Sequence, residues 1–123
     1  MSKGKIYIKN PWAIRILQGI KFIETRTFRL PDRFMDIYLD IQNENGFIVG
    51  SVKFCKSFKY ESEEHFNRDQ FAHLVEKDSP FHYTNRSKVH GWLIQDVKPR
   101  IPKMAKRFKS QFPLELYLSL IHI

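Results

Sequence analysis

Apolar residues recur in this chain with two periods, and the switches between them mark the elements. Lys5 to Lys9 alternates Ile6 and Ile8 with polar or aromatic neighbours, which predicts a short strand. The period then lengthens: Trp12, Ala13, Ile16, Leu17 and Ile20 share one helical face that should pack inward. Asn10 can cap this helix and Pro11 suits its first position, where a missing N–H costs nothing. Gly19 fits the helix exit, where a positive φ is tolerated. Phe22 to Leu30 is rich in β-branched and aromatic residues and predicts a second strand. If extended, it points Phe22, Glu24, Arg26 and Phe28 one way and Ile23, Thr25 and Thr27 the other.

Met35, Ile37, Leu39 and Ile41 alternate with polar partners, a half-buried strand, and Asn43-Glu44-Asn45-Gly46 is a turn signal. A long strand follows from Phe47 to Phe58, with Ile48, Val52 and Phe54 on one face and Val49 and Cys55 on the other; Gly50 marks a bulge or a close approach. Ser62 caps a predicted helix reaching about Glu76, with Phe66, Phe71, Leu74 and Val75 facing inward. Ser79 to Lys88 is a polar loop holding Phe81, His82 and Tyr83, and then Asn85 and Arg86. His90 to Val97 predicts the next strand, closed by Pro99 and Pro102. Beyond Lys103, Met104, Phe108 and Phe112 recur every four residues among basic side chains, a basic amphipathic helix, and Leu114 to Leu120 alternates like a strand. The last six residues, Leu118 to Ile123, look like the translation of a transposon end used in sequencing libraries and are read as an artefact or truncation scar.

The chain has 123 residues, enough for one domain with a modest core and no disulfide staples. Eleven Phe, five Tyr and two Trp supply that core with aromatic mass to spare for surface stacking. A lone Cys55 excludes an internal disulfide and disfavours a thiolate zinc site; as a free cysteine within an alternating run it reads as a sheet residue. Residues Met1 to Asn10 lack the apolar segment of a signal peptide, and no stretch approaches the ~20 apolar residues that span a bilayer, so a soluble cytoplasmic protein with no membrane partner is expected. The net charge of +8 is unevenly spread. Residues 61–78 carry six acids against Arg68 and Lys77, whereas the remainder is strongly basic. Such segregation favours a polyanionic partner on one face, RNA or DNA.

The densest candidate chemistry is Lys21, Glu24 and Arg26 at the helix-to-strand junction. As a binder, the two cations would contact phosphate or base carbonyls while Glu24 accepts from an exocyclic amine. As an enzyme, Lys21 would need a lowered pKa, which burial or Arg26 favours and Glu24 opposes. A plain surface ion-pair network is the third reading. Strand alternation puts Glu24 and Arg26 on one face but cannot place Lys21. Trp12, on an apolar helix face, reads as core; Trp92 is either core or a stacking platform for a base. Lys53 and Arg86 are candidate peripheral phosphate contacts. The five histidines form no pair at zinc-site spacing, so neither a metal nor a cofactor is expected.

Pro11-Trp12, then Gly19, Lys21, Glu24 and Arg26, then Gly50-Ser51-Val52 and Gly91-Trp92-Leu93-Ile94 together resemble the ASCH family, a small branch of the PUA-like β-barrels linked to RNA and modified-nucleoside recognition. The likeness runs from about Ile6 to Pro102 and centres on the family pattern Gly-x-Lys-x-x-Glu-x-Arg, present without a gap. It implies a cleft beside the barrel that holds a base or nucleotide, with Lys21 placed in the same cleft as Glu24 and Arg26. It also implies two enzymatic alternatives, since some ASCH-like proteins are amidohydrolases acting on acetylated cytidine and others are ribonucleases. Those amidohydrolases match at Lys21 but carry threonine where Glu24 stands, and use a glutamate after the long strand, a role Asp69 or Glu76 would have to fill.

The expected architecture is α+β: a PUA-like, mixed but mostly antiparallel β-barrel of five or six strands with two or three flanking helices. Residues 1–102 form the ASCH domain and 103–123 a basic C-terminal extension. The expected function is recognition of RNA or a modified nucleoside by Lys21, Glu24, Arg26, Lys53, Arg86 and Trp92. The alternatives are a metal-independent hydrolase using Lys21 with Glu24, or an acid of the 61–78 segment, and a protein-interaction module using the acidic helix or basic tail.

Overall fold

Five strands carry the alternation seen in the sequence. A computed structural model describes residues 4–100, so the basic amphipathic helix, the final strand and the six-residue tail expected beyond Lys103 lie outside the described residues. The strands are β1 (Lys5–Tyr7), β2 (Ile23–Arg26), β3 (Tyr38–Gln42), β4 (Ile48–Lys59) and β5 (His90–Pro99). The helices are α1 (Trp12–Leu17), α2 (Glu63–Arg68) and α3 (Gln70–His73), with single 3-10 turns at Asp32–Phe34 and Tyr83–Asn85.

The strands form one sheet in the order β1-β3-β4-β5-β2. β1 runs parallel to β3, and every other pairing is antiparallel. The result is a curled, mostly antiparallel half-barrel, with β1 and β2 as its edges. Its concave core is built from the inward residues of the alternating pattern: Ile6, Leu39, Ile41, Val52 and Phe54 from the strands, and Ala13, Ile16 and Leu17 from α1. A second cluster of Tyr60, Phe66, Val75 and Val89 anchors α2 and the loop that follows α3.

Local chemistry explains where the elements stop. α1 ends at Leu17, and Gly19 takes a φ of +79°, so Ile20 emerges half exposed instead of joining the buried face. Asn10 does not cap α1: its side chain makes no cap hydrogen bond, and Pro11 occupies the flanking position. Gly50 marks a close approach, because a Cβ there would lie 2.6 Å from both Leu17 Cδ2 and the Lys98 carbonyl oxygen. The β3–β4 register also shifts beside it, where Val49 is left unpaired between Ile48 and Gly50, and β4 is irregular again between Lys53 and Lys56.

The helix expected from Ser62 to Glu76 is two short ones. Ser62 does cap the first, accepting from the His65 N–H at 3.0 Å. At Asp69 the backbone leaves helical geometry, and its carboxylate accepts from the Tyr60 hydroxyl at 2.7 Å. The break changes which face turns inward. Ala72 and His73 are buried, Phe71 is 65% exposed, and Leu74 ends α3 in the left-handed conformation at φ +61°.

Candidate binding cleft

The two edges of the half-barrel do not pair with each other, and a cleft of about 450 Å³ lies beside them. Its walls include Tyr7, Ile8 and Lys9 from the end of β1, Trp12 from α1, and Lys21 to Phe28 around β2, apart from Phe22 and Ile23. Val75, Pro80, Phe81 and Arg86 close it from the α3–β5 connection. That volume lies within the range of small-ligand sites.

Lys21, Glu24 and Arg26 do converge. The Glu24 carboxylate accepts from Arg26 Nε at 2.8 Å and lies 3.7 Å from Lys21 Nζ. Lys21 Nζ also donates to the His73 carbonyl oxygen at 2.6 Å and sits 5.0 Å from the centroid of the Trp12 ring. That carbonyl is free because α3 ends there, and a cation is a favourable partner for the last carbonyls of a helix. His73 itself is held by two bonds: its Nδ1 accepts from the Val75 N–H at 3.0 Å, leaving Nε2 to donate to the Phe66 oxygen at 2.8 Å. The short helix thus presents a carbonyl that fixes the lysine. Arg26 reaches across the opening between the edges and donates to the Tyr7 carbonyl oxygen at 2.8 Å.

Lys21 is only 2% exposed and Glu24 only 7%. Burial pulls the Lys21 ammonium down to about 8; Glu24 opposes the shift, while Arg86 and Arg26 reinforce it. Because the folded value lies below the unfolded one, the unfolded chain binds the extra proton between about pH 8 and 10.5. Stability contributed at Lys21 therefore rises with pH across that window. We expect wild-type protein to gain about 1.5 kcal/mol on Lys21→Met between pH 8 and pH 9.5, at up to ~1.4 kcal/mol per unit. Urea unfolding of the two proteins at each pH checks this, and parallel pH profiles would contradict it.

Arg86, expected only at the periphery, lines the cleft. It donates through Nη2 to Thr25 Oγ1 at 3.0 Å and lies 5.4 Å from the Phe81 ring centroid. Its Nε–H is buried without a partner among the described residues, and burial holds its pKa below the usual arginine range. An unsatisfied buried donor costs about 1–3 kcal/mol.

Trp12, read as core, lines the cleft, and Trp92 takes the core alternative of its two readings. Trp12 is only partly buried and lines the cleft, between Lys21 and Arg15, whose guanidinium carbon lies 5.3 Å from its ring. Trp92 is 4% exposed, its indole N–H donates to the Phe28 oxygen, and its ring packs edge-on against Phe54 and Phe28. It is a core residue and offers no face for stacking. Lys53 also lies apart from the cleft. It projects over the Tyr38 ring at 4.6 Å, beside the Tyr38–Asp96 hydrogen bond on the sheet surface. Neither Asp69 nor Glu76 lines the cleft, so the structure does not bring the hydrolase's candidate acids of the 61–78 segment to Lys21.

Sequence reasoning missed Tyr7, Thr25 and Phe28 as cleft residues and gave Phe81 only a loop. Thr25 and Glu24 have opposite strand parity, yet both line the cleft, and among the described residues β2 pairs with β5 alone. The edge position, invisible to alternation, was the missing signal. Among the described residues no group of three or more His, Cys, Asp or Glu side chains could hold a metal ion, and no helix is long and apolar enough to cross a membrane.

A five-stranded curled sheet with one parallel edge, a helix after the first strand and a cleft along the second make up an α+β fold found in solved structures. Crystal structures of ASCH from Zymomonas mobilis share it. One superposes with a TM-score of 0.66 at 16% identity, covering 96% of this chain and 92% of that one. A serine-to-alanine variant of the same protein gives 0.64 at 19% identity, over 94% and 93% of the two chains. A tyrosine-to-phenylalanine variant gives 0.64 at 18%, over 96% and 95%. No protein-family model matches the chain, and no curated protein matches it. Identities this low establish the fold, and function has to be argued from the cleft.

Proposed function

We propose that this chain is an ASCH-type module that binds RNA or a modified nucleoside in the cleft, in the cytoplasm. The observation that carries the reading is the placement of Glu24 between Lys21 and Arg26, beside Arg86, within walls supplied by Trp12, Phe28 and Phe81. Aromatic faces can stack a base, Glu24 can accept from its exocyclic amine, and the cations suit phosphate or carbonyl oxygens. Lys21 is already committed to Glu24 and the His73 carbonyl, so in this reading it fixes the acceptor more than it touches ligand.

Fluorescence anisotropy with short single-stranded RNA tests the proposal. Affinity should fall roughly tenfold between about 50 and about 200 mM salt, the loss expected from about two or three phosphate contacts to a single strand. Lys21→Met combined with Arg26→Gln should abolish it in protein that circular dichroism shows to be folded. Unchanged RNA affinity in that double variant would favour a protein-interaction module instead.

One observation favours a second reading. A lysine drawn down to about 8 has the neutral fraction that a general base or nucleophile needs. In a metal-independent hydrolase acting on acetylated cytidine or on RNA, Lys21 would be that group. Release of acetate or of cleaved RNA that disappears in Lys21→Met would replace the binder with the enzyme.

A further inference from the structure

Four cationic side chains, Lys9, Lys21, Arg26 and Arg86, line the cleft, and Glu24 is the carboxylate set against them. Their donors are not equally free. Lys21 is engaged by Glu24 and the His73 oxygen, and Arg26 by Glu24 and the Tyr7 oxygen. Arg86 differs: it spends one N–H on the neutral hydroxyl of Thr25, and its Nε–H is enclosed with no partner among the described residues. The guanidinium is held in place by Thr25 and by the Phe81 ring, so little freedom is lost when it meets a planar array of oxygens. A fixed arginine fork with donors to spare, in a field left positive after Glu24 is satisfied, suits an oxyanion with several acceptors.

Resting on the nucleotide-type reading above, we propose that the cleft's ligand carries a phosphate group and that Arg86 is the residue that holds it. The base then lies toward Glu24 and Trp12, and the phosphate toward Thr25 and Phe81. A neutral nucleoside would leave the Arg86 donors as they are, whereas a phosphate takes them up. The same phosphate chemistry is presented by a free nucleoside monophosphate and by the phosphodiester of an RNA strand.

Isothermal titration at low salt separates these outcomes, using the common ribonucleosides, their 5′-monophosphates, and single-stranded ribo-oligonucleotides without terminal phosphates. The monophosphates, the oligonucleotides or both should bind about tenfold or more tightly than the nucleosides. The group that gains identifies the source of the phosphate. In Arg86→Gln the gap should shrink to about twofold or less, and Arg86→Lys, which keeps the charge without the fork, should retain only part of it. Should Arg86→Gln fail to fold, the wild-type gap and the lysine variant still decide. Nucleosides binding as tightly as both phosphorylated sets, or a full gap persisting in either Arg86 variant, would overturn the phosphate assignment and leave base recognition standing. Binding by none of the three sets would defeat base recognition itself, and this assignment with it.

Discussion

Glu24→Ala should lower the unfolding free energy by about 3–5 kcal/mol, the loss expected when one partner of a buried ion pair is removed. The reason lies in the burial of Lys21, which without Glu24 must either hold an unpaired charge among Trp12, the His73 carbonyl and two neighbouring arginines or give up its proton. The cost comes mainly from the stranded ammonium, so removing the ammonium as well should recover much of it. Lys21→Met in the Glu24→Ala background should therefore be more stable than Glu24→Ala alone, a coupling that a double-mutant cycle measures by urea unfolding. Additive losses across the cycle would show that the two side chains do not share a buried environment. Glu24→Gln keeps an acceptor oxygen without the charge, and should fall between wild type and alanine.

Truncating the two tryptophans should give opposite results. Trp92→Ala removes a core ring packed on Phe54 and Phe28 and should cost about 3–5 kcal/mol of stability. Trp12→Ala, at a partly exposed ring lining the cleft, should cost less stability but weaken binding by about 1–3 kcal/mol, roughly tenfold to a hundredfold, if a base stacks there. Thermal melts and nucleotide titrations on both variants check the pair. An affinity loss larger for Trp92→Ala than for Trp12→Ala, among folded molecules, would reverse the assignment.

Local physics made part of this legible beforehand. Alternation and composition located the five strands of the described residues to within a few positions, and the glycine at position 19, the Asn43–Gly46 turn and the Ser62 cap all appear where their backbone chemistry required. Strand parity put Glu24 and Arg26 together, and the structure joins them at 2.8 Å. What failed were features set by distant contacts. The Asp69 break depends on the Tyr60 hydroxyl, and it turned Phe71 outward against a helical periodicity that ran unbroken in sequence. The fates of Trp12 and Trp92 depended on which strands became edges, which alternation does not encode. Lys21 could be placed only by resemblance, because a residue between a helix exit and a strand has no periodicity to follow; its position is fixed by the His73 carbonyl, far along the chain. Arg86 came into the cleft through Thr25 in the same way.

The reach of Arg26 to the Tyr7 carbonyl has a consequence for how the cleft fills. That contact is a clasp across a seam where the backbones themselves do not meet. Any occupant that recruits the same guanidinium must loosen the clasp, exchanging an internal acceptor for an external one. Grip on the guest and cohesion of the seam are thus drawn from one side chain, and a change that strengthens either is felt by the other.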